Sequence, residues 1–245
     1  MKKKLCILLV LTLLFVSCKK QAAKPESAPP APQNTETNEP SKNAPVPDMP
    51  PEVLTLLNSL GDFQTVTYAV TATARKTGDA QESLTTQAFT KPDPFAIYVD
   101  TRNQIDELVN ASTAVYSEES GVYAVNYDGE YRVQPLASQD DIVKMMTLIM
   151  QEANPMDYHY LTKTSDGYTY DVSTISEYLK NLGVETSVGE VPAAVQITEN
   201  SVQIQLDLTE YLSGYDQFFV TQFAGGIDGD APQLSIPEAV KAKLG

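Results

Sequence analysis

Residues 65–75 read TVTYAVTATAR, and their apolar and polar side chains alternate with a period of two. Val66, Tyr68 and Val70 lie on one side of an extended chain, because successive side chains of a strand point to opposite faces. The residues between them, mainly threonine, lie on the other side. β-Branched and aromatic residues also favour strands. The stretch therefore predicts a β-strand with one face packed on a core.

The chain after this strand predicts an antiparallel meander. A turn at residues 76–79 returns the chain as a second strand over residues 83–91. Pro92 and Pro94 then interrupt the pairing, because proline has no N–H to donate. Further strands are predicted over residues 95–99, 111–117, 122–127 and 130–133. Their short, glycine-containing connections suit hairpins, so each strand is expected to pair with the next along the chain.

Helical patterns separate the strands. A short amphipathic helix begins at Pro51 and ends at Gly61, and an apolar helix follows Ser138 and stops at Asn154-Pro155. Further helices are predicted over residues 173–183 and 237–245, and further strands over residues 158–162, 168–172, 195–197, 202–208, 217–223 and 233–236. The chain has no regular strand–helix–strand alternation, which predicts an α+β fold whose antiparallel sheet has its helices gathered on one side.

The N-terminal residues predict export and a lipid anchor. Three lysines at residues 2–4 precede the apolar run of residues 5–16, which is too short to span a bilayer. Residues 15–18, FVSC, resemble the lipobox of bacterial lipoproteins. The resemblance implies that residues 1–17 are a signal peptide and that Cys18 receives a diacylglycerol. The alternatives are an ordinary secretory signal cut elsewhere and an uncut anchor.

The next segment predicts a tether. Residues 18–50 are rich in proline, alanine and polar residues, so they bury too little apolar surface to offset the entropy of ordering. We expect this stretch to be disordered and the folded domain to span residues 51–245. The domain would then stand on the extracytoplasmic face of a cell membrane, or in the periplasm, and contact the membrane through the lipid on Cys18.

Composition restricts the classes of function. The chain carries a net charge of −15, which becomes −18 when the three lysines of residues 1–17 are removed. Such a charge repels phosphate backbones, so nucleic acid is not an expected partner. Cysteine occurs only at Cys6 and Cys18 and histidine only at His159. The domain therefore has no thiol and no multi-histidine centre, and we predict no cofactor and no resident metal.

Carboxylates offer the main remaining route to catalysis. Asp100, Asp106 and Glu107 are close in sequence, as are Glu118 and Glu119, and glycoside hydrolases use such pairs. An acidic chain contains such pairs by composition alone. The sequence has no nucleophile elbow, phosphate-binding loop or HExxH motif. We therefore expect a protein without enzymatic activity.

Residues 225–230, GGIDGD, look like part of a calcium loop. Asp228 and Asp230 alternate with glycine, as oxygen ligands do in such loops. The stretch lacks the full twelve-residue spacing and the terminal glutamate of an EF-hand loop. A solvated turn is the simpler explanation.

Several features resemble the LolA/LolB/LppX-like superfamily. They are the Pro92-Asp93-Pro94-Phe95 break before a strand, the tyrosine-rich strands at residues 121–127 and 130–135, the apolar middle helix, and the ending LSIPEAVK at residues 234–241. The resemblance spans about residues 52–243. It implies a curved antiparallel half-barrel, with helices packed on its concave side and an apolar cavity that carries lipid or acyl chains.

The middle helix supplies most of the candidate ligand-binding residues. Met145, Met146 and Met150 have flexible, polarisable side chains that adapt to ligands of variable shape, and Ile149 belongs to the same stretch. Under the family resemblance this helix covers the cavity, and Phe219 is a further candidate from a strand. The same side chains would also suit a filled core, and both interpretations stay open.

Two functions follow from these interpretations. The first is a lipid-anchored, non-catalytic binding protein whose half-barrel holds a lipid or another apolar ligand. The second is an envelope scaffolding lipoprotein with a filled core, which docks a cationic envelope protein through its acidic surface or a sheet edge. A cavity large enough for an acyl chain would favour the first.

Overall fold

The structure is a computed structural model that describes residues 49–126, 129–134 and 138–244. Within its helices, the side chains outside this description are those of Gln139, Ile142, Val143, Met145, Met146, Ile149 and Leu244. The predicted signal peptide, Cys18 and nearly all of the predicted tether also lie outside the described residues, so these predictions stay untested. Among the helices that are described, none has both the length and the apolar character needed to cross a membrane.

One antiparallel sheet of eleven strands forms the domain. The strands are β1 (Thr65–Lys76), β2 (Gln81–Pro92), β3 (Phe95–Ile105), β4 (Leu108–Ser117), β5 (Val122–Asn126), β6 (Tyr131–Val133), β7 (Leu161–Thr164), β8 (Gly167–Asp171), β9 (Glu190–Ile197), β10 (Ser201–Asp207) and β11 (Tyr215–Ile227). Their order is β6-β5-β4-β3-β2-β1-β11-β10-β9-β8-β7, which is open at both ends. The prediction of an antiparallel sheet is confirmed.

The centre of the sheet joins the first strand to the last. β1 pairs with β11 from Thr65 opposite Ile227 to Lys76 opposite Tyr215. The strands β1 to β6 form one meander that runs outward from this pair. The strands β7 to β11 form a second meander on its other side. The alternating apolar and polar residues of 65–75 thus form the central strand of the sheet, β1.

Three helices pack on one face of the sheet, which we call the core face. They are α1 (Pro51–Ser59), α2 (Gln139–Glu152) and α3 (Ser176–Asn181). Val53 and Leu56 of α1 and Leu179 of α3 pack in the same buried cluster as Val70 and Val220 of the central strands. Met150 of α2 packs on a second cluster over strands β2 to β5. Burial of these apolar faces stabilises the domain at about 25 cal/mol per Å².

The C-terminal segment packs on the opposite face. Its helix α4 (Glu238–Leu244) buries Val240 against Val115 and Ala124, whose side chains point away from α2. Upstream, Ala231 and Leu234 cover Phe89. The prediction that all helices gather on one side is wrong for α4, because this end of the sheet is apolar on both faces.

Thr65 attaches the C-terminal segment to the sheet. Its buried hydroxyl donates to the carbonyl oxygen of Gly229 at 2.8 Å and accepts the N–H of Ala231 at 3.3 Å. Lys91 Nζ lies 2.7 Å from Asp230 Oδ1 and adds an ion pair beside these bonds. Strand alternation places Thr65 on the face opposite the core face. It is nevertheless buried, because its hydroxyl bonds the C-terminal segment to β1.

Two short segments predicted as strands are 3-10 turns instead. Residues 158–160 turn because the Asp157 side chain accepts the N–H of His159 at 3.0 Å, so β7 begins only at Leu161. Residues 232–234 turn after Ala231, with Pro232 in the first position. Local side-chain bonding and proline overrode the strand-like composition of both segments.

Candidate functional site

An apolar pocket of about 440 Å³ lies on the core face, where α1 ends and β2 meets β3. Leu57 and Leu60 line it from α1 and the turn that follows, and Met150 lines it from α2. Two stretches of chain form the remaining walls. The stretch from the end of α1 into β1 contributes Gly61, Phe63, Val66 and Tyr68. The stretch from the end of β2 into β3 contributes Thr90, Lys91, Pro92 and Phe95.

The sequence builds one wall of the pocket by stopping α1 early. A 3-10 turn at residues 60–62 ends the helix, and the chain then bends back so that Phe63 precedes β1. Phe63 packs over Gly226 of β11, where a Cβ atom would lie 2.1 Å from the ring. Only glycine allows this close approach, so Gly226 positions the aromatic wall.

The polar atoms of the pocket are few. The Thr90 hydroxyl donates to the backbone carbonyl of Val66 at 3.2 Å and is thereby satisfied. Burial raises the pKa of the Tyr68 phenol, which therefore stays neutral across the physiological range. Tyr68 faces the core side of the sheet, because it is paired with Ala88 of the cluster under α2. The lining is thus mainly apolar, with Tyr68, Thr90 and the Lys91 that pairs with Asp230 as its polar residues, which suits an apolar or amphiphilic molecule.

Met150 is the predicted ligand-binding residue that the structure places at the pocket. Its half-buried side chain packs on the cluster that contains Ile97 and Tyr116 and also faces the pocket. Phe95 lies beside it, with its ring centre 5.9 Å from that of Tyr116. Met145, Met146 and Ile149 belong to the same helix, but their side chains lie outside the described part of the chain.

Phe219 is not brought to the pocket. It is paired with Thr73 and Asp207, and strand alternation directs these side chains to the face opposite the core face. The neighbouring Phe218 points into the core instead, where its ring meets Tyr215 edge-on at 5.3 Å. In this Phe-Phe pair, the core residue is therefore Phe218 and not the predicted Phe219.

Sequence reasoning missed most of the pocket wall. Leu57 and Leu60 belong to the amphipathic stripe of α1, which we predicted as a helix without assigning it to a site. Phe63 follows directly after the helix stop at Gly61. An aromatic residue between a helix stop and a strand is a usable signal, but its partner Gly226 is distant in sequence and visible only in the fold.

The other chemical candidates are dispersed over the surface. His159 is half exposed, and its Nδ1 lies 2.8 Å from Asp157 Oδ1. In the described part of the chain, no three His, Cys, Asp or Glu residues are grouped as metal ligands would be. Gly225 and Gly226 of the suspected calcium loop continue β11, and Asp230 is paired with Lys91.

The carboxylates considered for catalysis have separate contacts. Asp100 is buried, and its Oδ2 lies 2.5 Å from Arg102 Nε. Asp106 and Glu107 form the exposed turn between β3 and β4. Glu118 accepts the N–H of Phe95 at 3.0 Å. Asp100 therefore lies away from the turn at residues 106–107 along β3, and Glu118 lies beyond the far end of β4. These carboxylates do not form a close pair.

Comparison with known proteins gives weak similarities. No family model and no curated protein matches the chain. Among solved structures, the chain is similar to LprF from Mycobacterium bovis, with 12% identity, 78% of this chain and 98% of that chain covered, and a TM-score of 0.33. It is also similar to a protein assigned as AttH from Nitrosomonas europaea, with 9% identity, coverage of 69% and 54%, and a TM-score of 0.22.

At these TM-scores and identities, neither similarity supports a conclusion on function. The resemblance to the LolA/LolB/LppX-like superfamily therefore stays a prediction from the sequence features given above. The resemblance concerns architecture, and no residue of the pocket is transferred from another protein.

Proposed function

We propose that this protein is a lipid-anchored, extracytoplasmic binding protein without catalytic activity, which holds a lipid or another apolar ligand on the core face of a curved, half-barrel sheet. The observation that carries the proposal is the apolar pocket between α1, α2 and the central strands. The anchor is the diacylglycerol expected on Cys18, and residues 19–50 are the tether that separates the pocket from the membrane.

The size and lining of the pocket support this function. Its volume of about 440 Å³ lies within the range of roughly 300–1,000 Å³ found for small-molecule sites. Such sites are mostly apolar and contain a few polar groups that orient the ligand. Tyr68 provides a neutral hydroxyl of this kind, and Met150 provides an adaptable wall.

The attachment of α1 makes this helix a fixed wall of the pocket. The start of the helix is fixed, because Glu52 Oε1 accepts from Lys163 Nζ at 2.6 Å and from the Tyr168 hydroxyl at 2.5 Å. The end of the helix, at Leu57 and Leu60, meets the pocket through apolar contacts. Leu60 is buried in the same cluster as Val53, so the end of the helix is held by burial as its start is held by the ion pair.

Lipid analysis of the purified protein tests the proposal. The chain with Cys18→Ser lacks the acylation site but keeps every residue that the structure describes, so any lipid found with it is bound non-covalently. We expect native mass spectrometry of this chain from a bacterial host to show one bound lipid, which organic extraction then identifies. A mass that remains free of ligand after incubation with mixed lipid extracts would contradict the proposal.

The second candidate function is docking of a cationic envelope protein. The observation that favours it is the excess of acidic residues, with 32 acidic against 17 basic side chains in the whole chain. Complementary charge raises association rates and weakens as salt increases. This function is compatible with a ligand in the pocket, because it uses the surface.

A further inference from the structure

Among the residues that the structure describes, one edge of β4 has no neighbouring strand over half of its length. β4 pairs with β3 from Leu108 to Ser117, whereas β5 pairs with β4 only from Thr113 to Ser117. Within the described part of the chain, no strand pairs with the β5 side of residues 108–112. The hairpin of β3 and β4 therefore extends beyond the described end of β5 and presents a strand edge that no described residue pairs with.

The hydrogen-bonding groups at this edge can be assigned from the ladder. The N–H of Glu118 donates to the carbonyl of Phe95 at 2.9 Å, which directs residue 118 toward β3. In an antiparallel ladder the backbone groups of successive residues point to alternate sides. The register between β3 and β4 has no shift, so the N–H and C=O groups of Val109 and Ala111 point to the bare side.

Residues 108–112 themselves lack several of the features that usually protect strand edges. Natural proteins block such edges with proline, lysine, inward-pointing charges or a β-bulge. Residues 108–112 read LVNAS and contain no proline or charge, and their register is regular. Leu108 and Val109 are 73% and 55% exposed. An exposed apolar edge of this kind is a template for a further strand.

The charges beside the edge select the type of partner. Asp106 and Glu107 form the turn directly before Leu108, and Glu82 lies opposite Ile105 at the end of the neighbouring ladder. Arg102 lies opposite Ala111 on the neighbouring strand and is paired with Asp100 at 2.5 Å. The local potential is therefore negative, which disfavours anionic lipid and a second copy of this acidic chain.

We propose that residues 108–112 of β4 bind an extended segment of a partner protein that contains lysine or arginine between apolar residues, and that this segment adds a strand to the sheet. Backbone bonds from Val109 and Ala111 supply the affinity, and Asp106 and Glu107 attract the cationic side chains. The site is separate from the pocket and does not depend on the function proposed for it.

A labelled ten-residue peptide of alternating lysine and valine is a suitable probe, with a glutamate–valine peptide as its charge control. Binding to the Cys18→Ser chain is measured by fluorescence anisotropy at low and high salt. We expect the lysine peptide to bind and its affinity to fall with salt. Equal binding of the two peptides, or no binding of the lysine peptide, would overturn the proposal.

Proline substitution tests whether the backbone edge is the site. Ala111→Pro removes an outward N–H without breaking the bonds to β3, whereas Ala111→Thr keeps that N–H and is the matched control. Loss of the bond and the clash with an added strand are expected to weaken peptide binding about tenfold or more in A111P, while A111T stays close to the parent. Unchanged binding in A111P would overturn the proposal.

Two controls keep the result interpretable. Circular dichroism shows whether A111P folds, and Val109→Pro removes the other outward N–H if it does not. Asp106→Asn with Glu107→Gln is expected to reduce both the affinity for the lysine peptide and its dependence on salt. If the parent chain bound anionic vesicles and A111P did not, the edge would be a lipid site. If the parent chain formed a dimer and A111P did not, the edge would bind a second copy of the chain. Either result would overturn the proposal of a cationic protein partner.

Discussion

The aromatic ring of Phe63 lies directly against Gly226, so that a Cβ atom on this glycine would meet the ring at 2.1 Å. The contact joins the segment after α1 to β11, at the end of the central β1–β11 pair nearest the pocket. It explains how a residue outside any helix or strand forms a fixed wall. The shape of the pocket therefore depends on a glycine that does not line it.

Gly226→Ala is expected to displace Phe63 and to destabilise the domain by about 1–3 kcal/mol, the usual effect of overpacking. Chemical denaturation measures the change in the free energy of unfolding. Gly189→Ala is the control, because a Cβ atom there has no neighbour within 4 Å. If the two substitutions had the same effect, the contact would not position the ring.

Met150→Ala removes an adaptable wall of the pocket. We expect the free energy of unfolding to fall by about 1–2 kcal/mol, which is less than for a fully buried methionine because Met150 is only half buried. We also expect lipid binding to weaken. Leu148→Ala on the same helix is the control, since Leu148 is 58% exposed, and it should change stability by less than about 0.5 kcal/mol. If M150A retained the full amount of bound lipid, Met150 would not be a ligand-binding residue.

Glu52 links the start of α1 to β7 and β8 and should make stability depend on pH. Hydrogen bonds from Lys163 and Tyr168 lower the pKa of Glu52 from 4.5 to about 2. A lowered carboxyl pKa stabilises the fold fully above the unfolded-state pKa, and this contribution disappears as pH falls through the folded-state pKa. The window of loss therefore runs from about pH 5 to about pH 2.

Glu52→Gln tests this dependence. The melting temperature of E52Q should lie below that of the parent at pH 6, and the two should converge near pH 2. Glu185→Gln, which changes an exposed carboxylate elsewhere, should follow the parent at both values. A difference between E52Q and the parent that is constant with pH would show that the charge of Glu52 has no part in the link.

Gln222 holds the chain that follows α2 on the central strand. Its fully buried amide accepts the N–H of Met156 at 2.7 Å and donates to the carbonyl of Met156 at 2.8 Å. Gln222→Leu leaves both backbone groups buried without partners, which should cost about 2–4 kcal/mol in unfolding experiments. Gln205→Leu, at an exposed position of β10, should be nearly neutral.

The strands with regular alternation could be predicted from the sequence, and those with polar ends could not. The stretch TVTYAVTATAR is β1 as expected, because its apolar face meets the core along its whole length. Residues 100–105 and 108–110 are polar or exposed, yet they extend β3 and β4. These residues are strands because the neighbouring strands supply their hydrogen bonds. The identity of the neighbouring strands cannot be read from the local sequence.

The direction of the side chains in β11 could not be predicted from composition. Phe219 lies on the face opposite the core face, whereas Phe218, Val220 and Gln222 point into the core. A buried glutamine makes this face look less apolar than the other, because its partner Met156 is distant in sequence. The methionines of α2 were chosen for their chemistry, and of these Met150 has a described contact with the pocket.

Measurement of bound lipid in a pair of tryptophan variants tests the central claim most directly. Thr90→Trp points a large ring from β2 into the pocket, whereas Thr73→Trp places the same ring on the opposite face of β1. Native mass spectrometry of both variants in the Cys18→Ser chain should show the lipid lost in T90W and retained in T73W, with both proteins folded. Lipid retained at full stoichiometry in folded T90W would contradict the assignment of this pocket as the ligand site.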